Sequence, residues 1–156
     1  MSRARKVLRV SIFVAGVLAG VFITSVLVAA SIWPTINRVE TGKSVEYSDL
    51  RVRTFQLGYD RVYDEAIGAA KDQPNWVVTG DDRAQGQIRA IATMPVIGWT
   101  QDVSIRVERT TAFVTRVGTV SEGDDAPGDL GQNARNIRSF QDALDRRLGA
   151  ARVPDP

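Results

Sequence analysis

The sequence predicts an α+β protein: an N-terminal transmembrane helix, then a β-α-β-β-β-β-α domain whose antiparallel sheet carries both helices on one face. Three observations predict it. Residues 10–37 form an uncharged run of 28, whereas a helix needs ~20 residues to cross the bilayer core. Between residues 52 and 120, short alternating apolar runs are separated by turn chemistry, the signature of consecutive hairpins. Two further segments carry apolar residues at helical spacing, one after the first strand and one near the C-terminus.

The first element is the anchor, residues 10–34, behind a basic stub, residues 1–9. Arg3, Arg5, Lys6 and Arg9 precede it, and no acid stands before Glu40. The positive-inside rule then puts the N-terminus in the cytoplasm and the rest of the chain across the membrane. Trp33 falls at the interfacial position, and Pro34 is a helix stop. A cleaved signal peptide is the rival reading, with Val28-Ala29-Ala30 as the small-residue site, but a secretory apolar region runs ~7–15 residues and this one is much longer. Gly16 and Gly20 form a GxxxG pair, which lets two helices approach closely. Small residues are also common in membrane helices for no such reason.

Residues 35–51 read as a polar linker, 52–148 as the exported domain and 149–156 as a flexible tail. Val52 to Leu57 alternates as a strand. Asp60 is placed to cap a helix whose apolar face is Val62, Tyr63, Ala66, Ile67 and Ala70, closed by Pro74. Trp76 to Thr79 is a strand by β-branched and aromatic content, and Asp81 to Gly86 is a turn. Gln87 to Met94 alternates, with Ile88, Ala90, Ala92 and Met94 on one face. Asp102 to Glu108 does so again, with Val103, Ile105 and Val107 inward. Arg109-Thr110-Thr111 reads as the hairpin turn and Ala112 to Val120 as the next strand. The closing helix runs from Gly131 to Leu148, with Asp129 and Gln132 as a capping box. Its apolar stripe is Ile137, Phe140, Leu144 and Leu148, its expected ion pairs are Arg138–Asp142 and Asp142–Arg146, and Gly149 ends it.

Composition removes whole classes of chemistry. The chain of 156 residues has no His and no Cys, so it holds no Ser-His-Asp triad, thiolate nucleophile, disulfide, lipoprotein cysteine, or imidazole or thiolate metal ligand. Four of its cations sit in residues 1–9, so the rest carries net −2 although the whole chain carries +2. With no basic stripe, nucleic acid is not an expected partner. Carboxylates are the remaining acid–base groups. Asp102 and Asp129, with Asp124 and Asp125, would converge if a strand start met the helix start at one sheet end. The acidic loop 122–129 with Asn133 offers calcium-type oxygen ligands, against the reading of a solvated loop. Arg135, with Arg138, could hold an anion at the helix start. Trp76, Met94, Trp99, Phe113 and Phe140 read as core, or as the lining of a lipid-sized pocket.

Two motifs carry a resemblance. Trp99-Thr100-Gln101-Asp102-Val103 and Asp129-Leu130-Gly131-Gln132-Asn133-Ala134-Arg135-Asn136-Ile137-Arg138 resemble the bacterial family called domain of unknown function 1499. Its pattern has an aromatic-x-Asp-Asp-Val run and ends in Asp-Leu-Gly-x-Asn-x-x-Arg-Ile before a terminal helix. The resemblance covers Val45 to Leu148. It departs at Gln101, which replaces the first Asp, and at Thr119 to Gly128, which replaces and lengthens a Ser-Arg-x-Gly. Members are often membrane-anchored and have no characterised activity. The resemblance therefore implies a fold and a location rather than a reaction.

These readings give a single-pass protein of the bacterial inner membrane with a periplasmic domain and no cofactor. Its expected partners are the bilayer and a membrane protein or complex, with self-association possible through the anchor. The leading function is a non-catalytic accessory subunit. The alternatives are a tethered binding module for lipid or another apolar ligand, and a carboxylate hydrolase using Asp102 and Asp129.

Overall fold

The computed structural model describes residues 3–32, 36–95, 98–123 and 129–154, and the side chains of the first helix over residues 9–28. The chain divides into two units, residues 1–34 and 35–156.

The first unit is one helix, α1 (Arg3–Ile32). Its segment Arg9–Val28 has a mean hydropathy of 2.4, and none of it is buried within the chain. A helix that is apolar all round and unburied suits lipid, and 20 residues suffice to cross it. Two of its hydroxyls bond back to the helix: Thr24 donates to the Gly20 carbonyl and Ser25 to the Val21 carbonyl, each at 2.8 Å. Trp33 and Pro34 lie outside the described residues.

The second unit is α+β, as the sequence predicts. Its elements are β1 (Arg38–Glu40), a 3-10 turn (Val45–Tyr47), β2 (Arg53–Phe55), α2 (Tyr59–Lys71), β3 (Trp76–Asp82), β4 (Gln87–Thr93), β5 (Thr100–Thr111), β6 (Val114–Gly123), α3 (Gln132–Leu148) and β7 (Arg152–Val153). The sheet is antiparallel, in the order β3-β4-β5-β6-β2-β7, and β1 also pairs with β6. Alternation fixes the buried face. Ile88, Ala90 and Ala92 of β4, Val103, Ile105 and Val107 of β5, and Val117 of β6 are buried, while Arg89, Asp102, Ser104, Arg106, Glu108 and Arg116 point to the other side. Both helices cover the apolar face with Val62, Tyr63, Ala66, Ala69 and Ala70 of α2, and Ile137, Phe140, Ala143, Leu144 and Leu148 of α3. Small alanines on α2 let it seat close to α3. Trp76 stacks on Phe140 at 6.3 Å between ring centres, and Tyr63 donates to the Gln87 carbonyl at 3.0 Å.

Several expectations need correction. The stretch 35–51 is more than a linker. β1 extends the sheet through Val39, which faces Ser121, and Val39 and Leu50 form a second apolar cluster with Ala134 and Ile137. The tail is tied down as far as Val153: β7 pairs with β2, and Arg152 and Arg53 share the Asp145 carboxylate at 3.1 and 3.3 Å. Strand β5 runs through Arg109–Thr111, and the turn is Ala112-Phe113. Threonine and arginine tolerate extended backbone, so pairing with β6 continues past the expected turn, with a register shift between Arg109 and Thr111. This leaves Phe113 at the hairpin tip, 78% exposed, and Trp99 is 39% exposed; neither is core, whereas Met94 and Phe140 are buried. Asp60 lies inside the first turn of α2, whose cap is Gly58. Arg138 pairs with Asp49 at 2.8 Å rather than with Asp142, because the 3-10 segment brings Asp49 alongside α3.

Candidate functional site

The Asp-Leu-Gly-x-Asn motif builds the start of α3. Leu130 and Gly131 both take positive φ, 51° and 75°, so the chain turns sharply into the helix. Asp129, 4% exposed, accepts from the Gly131 N–H at 2.8 Å and from the Asn133 N–H at 2.6 Å. It therefore satisfies N–H groups at the helix start from two residues before the N-cap, Gly131, rather than from the N-cap position the capping box assigns it. The reciprocal half of a capping box is absent, because Gln132 reaches forward to Asn136 at 2.8 Å.

Behind the cap lies a buried polar cluster against β6. The Ser121 hydroxyl donates to Asn133 Oδ1 at 2.7 Å, Asn136 Nδ2 donates to the Ser121 oxygen at 3.3 Å, and Asn133 Nδ2 donates to the Asn37 carbonyl at 2.9 Å. Gln101, 3% exposed, sits beside it, and its Oε1 has no partner among the described residues. These groups stitch the start of the domain, the sheet and α3 together. Buried polar groups held this way specify packing.

Asp102 and Asp129 do not converge. Asp102 is exposed on the helix-free sheet face, whereas Asp129 is buried on the helix side; one residue of strand alternation, Gln101 inward and Asp102 outward, separates them. Arg135 is exposed and folds back on its own helix, donating to the Leu130 carbonyl at 2.9 Å and to Gln132 Oε1 at 2.9 Å. Of the acidic loop, Glu122 ends in β6 and pairs with Arg38 at 2.5 Å. Asp124 and Asp125 lie outside the described residues.

One recess was not singled out in the sequence. It is a groove of about 480 Å³ on the helix-free face, lined by Arg89, Arg106, Arg116, Lys43, Glu40 and Glu108 among others, with Ser104 and Gly118 between them. Glu40 bonds Lys43 at 2.6 Å and Arg38 at 3.2 Å. The Lys43 ammonium, then the Arg38 guanidinium, hold its carboxyl below the usual glutamate range. Glu108 bonds Arg106 at 3.0 Å. Alternation alone marked Arg89 and Arg106 as outward; the groove needed the register.

Fold and site together define a small α+β domain following an apolar N-terminal helix, with its signature motif committed to internal packing. The chain belongs to the family described as "Protein of unknown function (DUF1499)", which it matches over residues 30–144. No curated protein matches it. Among solved structures it is similar to the di-domain ARO/CYC protein BexL of the BE-7585A biosynthetic pathway, at 12% identity and TM-score 0.48, covering 74% of this chain and 46% of that one. It thus spans about half of that protein's length. It is similar also to the Zhui aromatase/cyclase from Streptomyces sp. R1128, at 17% identity and TM-score 0.32, covering 73% of this chain and 87% of that one. A third is a protein from Chromobacterium violaceum, at 13% identity and TM-score 0.31, covering 77% and 100%. At these scores the likenesses carry no inference about this chain's activity.

Proposed function

We propose that this protein is a single-pass component of the bacterial inner membrane whose tethered periplasmic domain serves as a non-catalytic accessory partner of a larger membrane assembly. The observation that carries this reading is the fate of the motif. Its acid, Asp129, spends both carboxylate oxygens on backbone N–H groups, and Asn133 and Asn136 are consumed in the same buried cluster. A carboxylate so committed is a poor general acid or base. The apolar segment Arg9–Val28 and the four cations at its N-terminal end support a retained anchor with a cytoplasmic N-terminus. The anchor is the docking surface we favour: Gly16 and Gly20 have nothing within 4 Å of where a Cβ would stand, leaving backbone open to a partner helix or a second copy. The interlayer is filled by Phe55, Tyr63, Ile88, Ile105 and Phe140, each no more than 1% exposed, which weighs against an enclosed lipid pocket.

The test is extraction of the full-length protein in mild detergent, with co-eluting proteins identified by mass. The expected result is a stoichiometric integral-membrane partner, lost when Gly16 and Gly20 are both changed to Leu. Migration of the protein alone after gentle extraction would overturn the reading.

A further inference from the structure

We propose that the groove on the helix-free sheet face is a binding site for a small phosphate-bearing anion, gripped by Arg89, Arg106 and Arg116. The inference goes beyond the accessory role and does not depend on it.

The register sets the geometry. Arg89 on β4 faces Ser104 on β5, two residues before Arg106; Arg106 faces Gly118 on β6, two residues after Arg116. The three arginines therefore form one diagonal across three strands, with neighbours ~7–8 Å apart at the backbone. Long side chains span such gaps easily. Ser104 and Gly118 occupy the adjacent, parallel diagonal, and their small size leaves the recess beside the row of guanidinium groups open.

The charge is unbalanced in one direction. The lining holds five cations, Arg38, Lys43, Arg89, Arg106 and Arg116, against two acids, Glu40 and Glu108. Both acids are already engaged, Glu40 by Lys43 and Arg38, and Glu108 by Arg106. Glu108 stands directly across from Arg116 in the register yet takes Arg106 instead. Arg89 and Arg116 have no carboxylate partner among the described residues. Guanidinium groups present paired N–H donors that match phosphate oxygens bidentately. The groove's volume of about 480 Å³ lies within the ~300–1,000 Å³ range of small-molecule sites. The same chemistry is carried by a soluble phosphate compound and by the head group of a phospholipid.

The experiment titrates the full-length protein, in uncharged detergent at low salt, with two probes by calorimetry: inorganic pyrophosphate and dihexanoylphosphatidylglycerol, with dihexanoylphosphatidylcholine as reference. Saturable binding is expected. Pyrophosphate binding points to a soluble ligand; binding of the phosphatidylglycerol alone points to a lipid head group. The double variant Arg89→Gln/Arg116→Gln should weaken binding by about tenfold or more, since each charge-assisted contact is worth more than a neutral one. Gly118→Leu should weaken it as much while leaving every charge in place. A Cβ there meets only Thr41 Oγ1, at 3.6 Å, so the strand accepts it; Ser104→Leu fills the same recess if that variant loses its near-ultraviolet circular dichroism. Arg135→Gln, on the helix side, should bind as wild type. Failure of both probes to saturate, or affinity unchanged in the double and filled variants, would overturn the site and leave the basic N-terminal stub as the source of any anion affinity.

Discussion

Asp129 shows how a polar residue in the motif earns its place by geometry. Its two oxygens meet the N–H groups of Gly131 and Asn133, which α3 itself leaves without helical partners. Asp129→Asn keeps the shape but replaces one acceptor with a donor. Urea unfolding followed by near-ultraviolet circular dichroism should show a loss of roughly 1–2 kcal/mol, as for other cap substitutions; an unchanged midpoint would mean the cap is dispensable. Asp49 works by charge instead. Arg138 donates to both its oxygens, at 2.8 and 3.0 Å, and these bonds hold its carboxyl below the usual aspartate range. A carboxylate with a lowered folded pKa contributes stability that is full above its unfolded value, near ~3.9, and is lost as pH falls through the folded value. Wild type should therefore exceed Arg138→Gln in stability at about pH 7, by no more than ~1 kcal/mol for so exposed a pair. The gap should close near pH 2. An undiminished gap at acid pH would assign it to the Arg138 guanidinium lying over the Tyr47 ring.

Elements are held in place by backbone constraints as much as by side-chain burial. Gly86 ends the β3–β4 turn with φ at 67°, and an added Cβ would collide with the Val107 carbonyl oxygen of the neighbouring strand. Gly86→Ala should cost about 1–3 kcal/mol from left-handed strain alone. Gly80, with open space around it and no positive φ, should accept Ala without such loss, and thermal unfolding of the two variants separates turn geometry from glycine content. The helices and the central strands were legible because their burial follows simple periods: Ile137, Phe140, Leu144 and Leu148 repeat at helical spacing, and Val103, Ile105 and Val107 alternate. The expected turn at Arg109–Thr111 was not where the chain reverses, because local composition does not reveal how far a long hairpin stays paired, here across a register shift between Arg109 and Thr111. The service of Asp129 to the helix start was legible, but not its place two residues before the N-cap. The groove was not, since three arginines from three strands align only once pairing is known.

At the scale of the whole folded unit, its boundaries depend on contacts too short and too distant to show as sequence periods. β1 is three residues long and pairs with residues 120–122 across 80 to 84 positions of chain. Yet it carries Val39, fully buried, and follows Asn37, whose carbonyl accepts from both Asn133 Nδ2 and the Gly123 N–H. Leu50 closes the same cluster over Ala134 and Ile137. A chain beginning at residue 52 would expose those two side chains, leave one edge of β6 unpaired and strip the polar cluster of an acceptor. Each of these defects costs about 1 kcal/mol or more in domains whose whole margin is ~5–15 kcal/mol. A chain of residues 35–156 should therefore be soluble and unfold in one cooperative transition, whereas residues 52–156 should aggregate or bind a hydrophobic dye without sharp melting. Removing residues 149–156 should be milder: among the described residues it takes away the Gly149 N–H on the Asp145 carbonyl, the short β7 pairing, the Ala151 carbonyl bonded to the Gln56 N–H, and one of two arginines on Asp145. Cooperative folding of residues 52–156 would show that β1 and the segment after it decorate a core already sufficient without them.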